Sequence, residues 1–145
     1  METPLGPMLL SERDGAVAAL RFLEAGEESG RAEETPLSRR TQDWLDRYFA
    51  GERPDADLPL APSGTAFQRR VWRAAAEIPY GATLSYGELA RRIGCGSARA
   101  VGAALGKNPV WILIPCHRVL GADGSLTGYA GGLDKKAALL AREKT

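Results

Sequence analysis

Cys116 and His117 adjoin in the run Ile114-Pro115-Cys116-His117-Arg118. A thiol attacks as its thiolate, which a neighbouring base or positive charge favours. His117 is the only histidine of the 145 residues, so a thiol can meet an imidazole in one region only. The apolar run Val110-Trp111-Ile112-Leu113-Ile114 predicts a buried strand that holds the cysteine rigidly. The dipeptide alone supports two readings: an activated nucleophile, or a structural cysteine beside a satisfied histidine. A cysteine hydrolase usually takes its histidine from a distant part of the sequence, and none exists. Cys95, Cys116 and His117 are the only Cys and His residues, too few for a zinc site, so no metal is expected.

Upstream of this segment, Thr65 caps a predicted helix whose apolar stripe is Phe67, Val71, Trp72 and Ala75, ended by Ile78-Pro79-Tyr80-Gly81. Residues 85–93 form a short helix with Ser85 as its cap. Gly94-Cys95-Gly96 makes a tight turn, and Ser97 caps a second helix over 98–105 that Asn108-Pro109 stops. Two short helices joined by a glycine turn are a helix-turn-helix pattern. Ala98, Ala100, Gly102, Ala103, Ala104 and Gly106 give the second helix a very small face, with Arg99 near its start and Lys107 past its end. Long polar side chains for reading base edges in a major groove are scarce. The slim face suits close approach to a backbone or a narrow groove, or else tight packing on a neighbouring helix. Downstream, Gly121-Ala122-Asp123-Gly124 turns the chain and Thr127-Gly128-Tyr129-Ala130-Gly131-Gly132 makes a glycine-lined loop. A last helix starts near Leu133-Asp134 with Leu133, Ala137 and Leu140 on one face. Glu143 lies near its end, where fraying is common.

The first part of the chain reads as a small α+β unit. Met8-Leu9-Leu10 and the stretch 16–23 predict two strands around an Asp14-Gly15 turn. An acidic loop occupies 24–34. Trp44, Leu45, Tyr48 and Phe49 recur at helical spacing as core residues, behind a cap at Ser38 or Thr41. Pro54, Pro59 and Pro62 make 51–64 a linker or a wrapping loop.

The chain is 44% hydrophobic and 26% charged, the composition of an ordinary soluble globule. Two cysteines make no disulfide framework. Met1-Glu2-Thr3-Pro4 has no basic region before a long apolar stretch, and no run of about 18 apolar residues exists. A cytoplasmic protein with no membrane partner is expected. The net charge of +1 divides into −6 over residues 1–65 and +7 over residues 66–145. The basic half is either a surface for a polyanion or a solvated face.

Pro115-Cys116-His117-Arg118 resembles the signature of the O6-alkylguanine-DNA alkyltransferases. Phe67-Gln68, Val71-Trp72, Ile78-Pro79-Tyr80-Gly81, Ser85-Tyr86, Arg99-Ala100-Val101-Gly102, Asn108-Pro109 and Gly128-Tyr129-Ala130-Gly131-Gly132-Leu133 match that family's pattern in its order. The resemblance is strong over 65–145 and weak over 1–60. It implies an α+β fold in two domains. Residues 1–60 would form a small N-terminal α/β domain, a short antiparallel sheet plus helix, with a linker. Residues 61–145 would form a mostly helical DNA-binding and alkyltransferase domain with a winged-helix-like helix-turn-helix.

The implied function is repair by transfer of a methyl or alkyl group from guanine O6, and from thymine O4, to Cys116. The base would be flipped out of double-stranded DNA by a helix lying in the minor groove. His117 would take the thiol proton through a water and Glu143 would orient the imidazole. Tyr86 would donate to the guanine. Asn108 would tie the helix-turn-helix to the active segment, and the carbonyls of Cys116 and Val119 would accept from the guanine amino group. Arg99 would fill the place of the flipped base. Further DNA or base contacts are implied at Ser97, Ala98, Ala100, Trp111, Arg118, Tyr129, Ala130 and Gly131. The protein would act once, as a monomer, without cofactor or metal.

Two departures stand out. Ala130 occupies a position usually held by serine, and Trp111 one usually held by smaller residues. A non-catalytic binder of alkylated DNA would lack the active cysteine. A plain helix-turn-helix regulator would not need it.

Overall fold

The structure, a computed structural model, describes residues 1–27, 34–55, 57–129 and 131–144. Strands β1 (Met8–Arg13) and β2 (Ala16–Phe22) form an antiparallel hairpin. Its two-residue turn has Asp14 and Gly15 at φ 52° and 77°, the left-handed pair that matches strand twist. A register shift between Ser11 and Glu12 marks a bulge, so β1 runs past the three residues expected. Helix α1 (Pro36–Phe49) begins at Thr35, not at Ser38 or Thr41. Thr35 Oγ1 accepts from Ser38 N and Ser38 Oγ from Thr35 N, a reciprocal capping box with proline following the cap. Ser38 is the partner within that box, and Thr41 is buried with its hydroxyl donating to Leu37 O. Part of the acidic loop, 28–33, lies outside the described residues.

The proline-rich stretch is a wrapping loop. Val17 N donates to Pro59 O and Ala61 N to Val17 O, while Leu58 is buried. Helix α2 (Ala66–Ala76) follows, capped by Thr65 as expected, with Val71, Trp72 and Ala75 buried. Strand β3 (Leu84–Ser85) leads directly into α3 (Tyr86–Arg92), and α4 (Ala98–Gly106) follows after a turn at Gly94, φ 70°. Cys95 N donates to Ala90 O and Gly94 N to Arg91 O, a glycine-dependent helix stop that sets the angle between the two helices. Ser85 and Ser97 cap α3 and α4. β3 pairs in parallel with β4 (Val119–Leu120), and α5 (Leu133–Glu143) closes the fold.

Two further expectations fail. Residues 110–114 are buried except for half-exposed Trp111, but they are no strand. Ile114 N donates to Val110 O and Leu113 N to Trp111 O, closing a tight loop with Ile112 at φ 69°. A β-branched residue at positive φ is strained. It is held by β2, where Leu20 N donates to Pro109 O and Trp111 N to Leu20 O. On α5 the inward face is Lys136, Leu139, Leu140 and Glu143, whereas Leu133 is 49% exposed and Ala137 is exposed. The spacing 136, 139, 140, 143 is helical, and the apolar stripe carries a charge at each end because both charges have partners inside.

Candidate active site

Cys116 opens a single 3-10 turn, Cys116–Arg118, whose three side chains are all buried. The loop before it points Asn108 at the thiol. Asn108 Oδ1 accepts from Val110 N at 3.0 Å, which fixes the amide. Its Nδ2 then donates to Ile114 O at 3.2 Å and to Cys116 Sγ at 3.3 Å. Asn108 lies one residue past the C-cap Lys107 of α4, so one side chain links the second helix to the Cys116 sulfur. Burial pushes the thiol pKa up, and the Asn108 hydrogen bond and the Lys136 charge only partly oppose it. The thiol is therefore protonated near neutral pH and needs a base.

His117 is fully buried, with its Nε2 at 2.7 Å from Glu143 Oε2. Burial pushes the imidazole pKa down, against the carboxylate beside it. Burial would raise the Glu143 carboxyl, but hydrogen bonds from His117, Arg118 and Tyr48 outweigh it and hold the pKa at about 2. An ionised carboxylate only accepts, so a neutral His117 carries its proton on Nε2 and presents Nδ1 as a lone pair. Nδ1 has no partner among the described residues, and the ring makes no hydrogen bond to Cys116.

Arg118 does not face outward. Its Nε and Nη2 donate to Glu143 at 2.7 and 3.1 Å and its Nη1 donates to Ile78 O at 2.7 Å. A DNA or base contact at Arg118, expected from the sequence, is left to its remaining N–H groups, since Nε, Nη1 and Nη2 each already donate to the Glu143 carboxylate or to a backbone carbonyl. Glu143, expected to fray, is 3% exposed.

Two residues that the sequence does not single out complete the site. Lys136 is fully buried, and its Nζ donates to Val119 O at 2.6 Å and Thr127 O at 2.7 Å, with Tyr86 Oη at 3.5 Å. Its signal lay in the spacing to Glu143 around Leu139 and Leu140. Tyr48 donates from α1 to Glu143 Oε2 at 2.6 Å, and no sequence pattern separates that hydroxyl from an ordinary core tyrosine.

Tyr86 Oη donates to Thr127 O at 2.8 Å, and its ring lies 3.7 Å from where a side chain on Gly102 would start. The small face of α4 thus serves both readings. Gly102 meets Tyr86, and Val101, Ala104 and Leu105 are buried, while Ala98, Arg99, Ala103 and Gly106 are exposed. Ser97 accepts from Ala100 N, and Ala100 is half-buried at the start of the helix. Arg69, Arg70, Arg73, Arg99 and Lys107 are exposed and in no ion pair among the described residues.

Trp111 stands between Phe22 and Tyr129, with ring centroids at 6.0 and 5.9 Å, and its Nε1 donates to Asn108 O. A side chain on Gly131 would collide with Tyr129 at 2.8 Å, so the glycine lets that ring approach. Tyr129 Oη is buried without a partner among the described residues. Val119 is buried and its carbonyl accepts from Lys136, and the Cys116 carbonyl accepts from Val119 N. Ala130 lies outside the described residues.

Residues 66–145 match the family model "6-O-methylguanine DNA methyltransferase, DNA binding domain", and residues 1–62 the model "6-O-methylguanine DNA methyltransferase, ribonuclease-like domain". A methylated-DNA–protein-cysteine methyltransferase of Mycobacterium tuberculosis is 48% identical over 100% of this chain and 90% of its own length. One of Methanosarcina acetivorans is 46% identical over 98% and 94%. The M. tuberculosis protein in complex with DNA superposes with a TM-score of 0.89 at 47% identity, over 99% of this chain and 90% of that one. Full-length matches at this identity, on a chain that builds Cys116, Asn108, His117 and Glu143 into one buried array, place it in the 6-O-methylguanine DNA methyltransferase family.

Proposed function

We infer that the protein repairs DNA by direct reversal, moving a methyl or other alkyl group from guanine O6 to Cys116 Sγ. The observation that carries this reading is the buried thiol set beside an imidazole whose Nε2 is held by Glu143 and whose Nδ1 has no partner among the described residues. As the S–C bond forms, the C–O6 bond breaks and its electron pair stays with the guanine. The thiol proton passes to His117 Nδ1 by way of a water, and the resulting imidazolium is stabilised by Glu143. Tyr86 supplies a hydrogen bond to the charge developing on the base. Lys136, which also donates to Thr127 O, frees that carbonyl from sole dependence on Tyr86. The second lone pairs of the Cys116 and Val119 carbonyls accept the guanine amino group.

A thiol this enclosed reaches a base only outside the stack, so the lesion must be flipped. Arg99 at the exposed start of α4 fills the gap. Ser97, Ala98 and Ala100 bring the helix N-terminus against the duplex backbone, and the small residues let it lie in the minor groove. Trp111, Tyr129 and Gly131 border the alkyl side of the pocket. The product thioether has no good leaving group, so each molecule acts once, as a monomer, on O6-alkylguanine in duplex DNA and on O4-alkylthymine. The transfer balances without metal or cofactor.

Mass spectrometry after mixing with an O6-methylguanine duplex tests this. One methyl is expected on the Cys116 peptide, at no more than one equivalent per protein. Cys116→Ala is expected to bind the duplex and gain none. Methylation of that variant, or a label on Cys95, overturns the assignment.

A further inference from the structure

Tyr48 lies in the last turn of α1, far in sequence from every other member of the site, and it is 2% exposed. Its ring is held on three sides: stacked on Trp44 at 5.5 Å, and edge-on to Phe49 at 5.1 Å and Tyr80 at 6.0 Å. A ring so packed has no freedom to swing its hydroxyl elsewhere. That hydroxyl donates to Glu143 Oε2, the same oxygen that receives His117 Nε2. Glu143 is the last residue of α5, where Tyr80 Oη donates to Arg142 O and Arg142 donates to Phe49 O, so the backbone is tied but the Glu143 carboxylate is placed by its own donors. Arg118 clamps both carboxylate oxygens from one side. Only Tyr48 reaches the carboxylate from the N-terminal part of the chain among the described residues.

We propose that Tyr48 is a positioning residue for alkyl transfer, whose hydroxyl pins Glu143 Oε2 and thereby sets the tautomer and proton affinity of His117. The proposal rests on the transfer reading for its catalytic consequence, but its physical core concerns the imidazole alone. Oε2 shares its negative charge among three donors: Tyr48, His117 and Arg118. Each further donor weakens the hold of the oxygen on the imidazolium form. Tyr48 stays a donor at all working pH values, since burial and the facing carboxylate push its own ionisation far up.

The titratable and charged groups facing His117 are Cys116 and Arg118 on its own turn, Glu143 and Lys136 on α5, and Tyr48 on α1. Tyr80, in the loop after α2, is one ring further out and is directed to Arg142 O. Of these, Tyr48 can lose its polar atom and keep its shape.

Tyr48→Phe is the test, with Phe49→Leu as a packing control that removes none of the donors to Glu143. His117 is the only histidine, so ring ¹⁵N NMR reads one imidazole without selective labelling. With one donor gone, Glu143 holds a proton on His117 more tightly. The midpoint of the His117 titration is expected to move up by roughly half a pH unit to one unit in Tyr48→Phe, and to stay in place in Phe49→Leu. The acid limb of the Cys116 alkylation rate should move with it. On that limb the rate should fall about three- to tenfold, since one unit is a factor of ten in proton occupancy. The dissociation constant for the alkylated duplex should change less than about twofold.

An unmoved midpoint in Tyr48→Phe overturns the proposal. So does an equal shift in both variants, which makes Tyr48 a packing residue only. If the wild type takes up no alkyl group while the midpoint still moves in Tyr48→Phe alone, the positioning of His117 stands and the transfer reading falls.

Discussion

A buried thiol with a raised pKa is a weak nucleophile until its proton has somewhere to go, and around Cys116 the acceptor is supplied through charges two residues removed from it. Glu143 is the pivot, because three side chains donate to one carboxylate. Its pKa in the folded protein, about 2, is below the ordinary 4.5. A depressed carboxyl contributes stability that is fully present above the unfolded value and is lost as pH falls through the folded one. His117 acts in the same direction from a higher pH. Its folded pKa is also lowered, so the unfolded chain binds the extra proton first and stability declines as pH drops below the ordinary 6.5. Acid titration followed by circular dichroism should show loss beginning below about pH 6.5 and steepening between about pH 4.5 and 2. In Glu143→Gln the steep part should be missing, and the variant should be less stable than wild type at pH 7. A Glu143→Gln curve parallel to wild type between pH 4.5 and 2 would contradict this role.

Helix α4 divides its surface between two tasks. Val101, Ala104 and Leu105 are buried, and Ala104 O receives Trp72 Nε1, which ties the helix to α2. The opposite side offers Arg99 with only Ala98, Ala103 and Gly106 beside it. A single long side chain on a slim face fits insertion better than base-edge reading. Arg99→Ala is expected to slow repair of an O6-alkylguanine duplex at least about tenfold, equivalent to losing about 1.4 kcal/mol of unstacking compensation. Reaction with free O6-benzylguanine, which needs no extrusion, should change less than about twofold. Equal losses on both substrates would remove Arg99 from the extrusion step. The capping serines and threonine at 65, 85 and 97 were legible because a hydroxyl three residues before a free backbone N–H is a local rule. The loop 110–114 was not. Its composition reads as a strand, and only the pairing of Leu20 with Pro109 and Trp111 forces Ile112 into a conformation no local rule predicts.

One hydrophobic core runs through the whole molecule, from Met8, Val17 and Leu20 to Val110, Ile114 and Leu139. The backbone of Leu20 carries the loop that aims Asn108, and its side chain is fully buried. Leu20→Ala should cost about 2–5 kcal/mol. It should lower one melting transition seen alike by circular dichroism and by the tryptophans of both halves, Trp44, Trp72 and Trp111. Two separated transitions would show that the N-terminal unit melts independently. The sequence by itself determined the single imidazole that a thiol could meet, the two short capped helices around a glycine turn and the charge split, because these depend on residue type and on neighbours within a few positions. Only the tertiary structure decided that Arg118 turns inward, that a lysine is fully buried beneath the active loop, and that Tyr48 shares a carboxylate oxygen with His117. Each is a pairing of a buried polar group with partners distant in sequence. Such a group must find a partner somewhere in the interior, but nothing in its own stretch of chain says which.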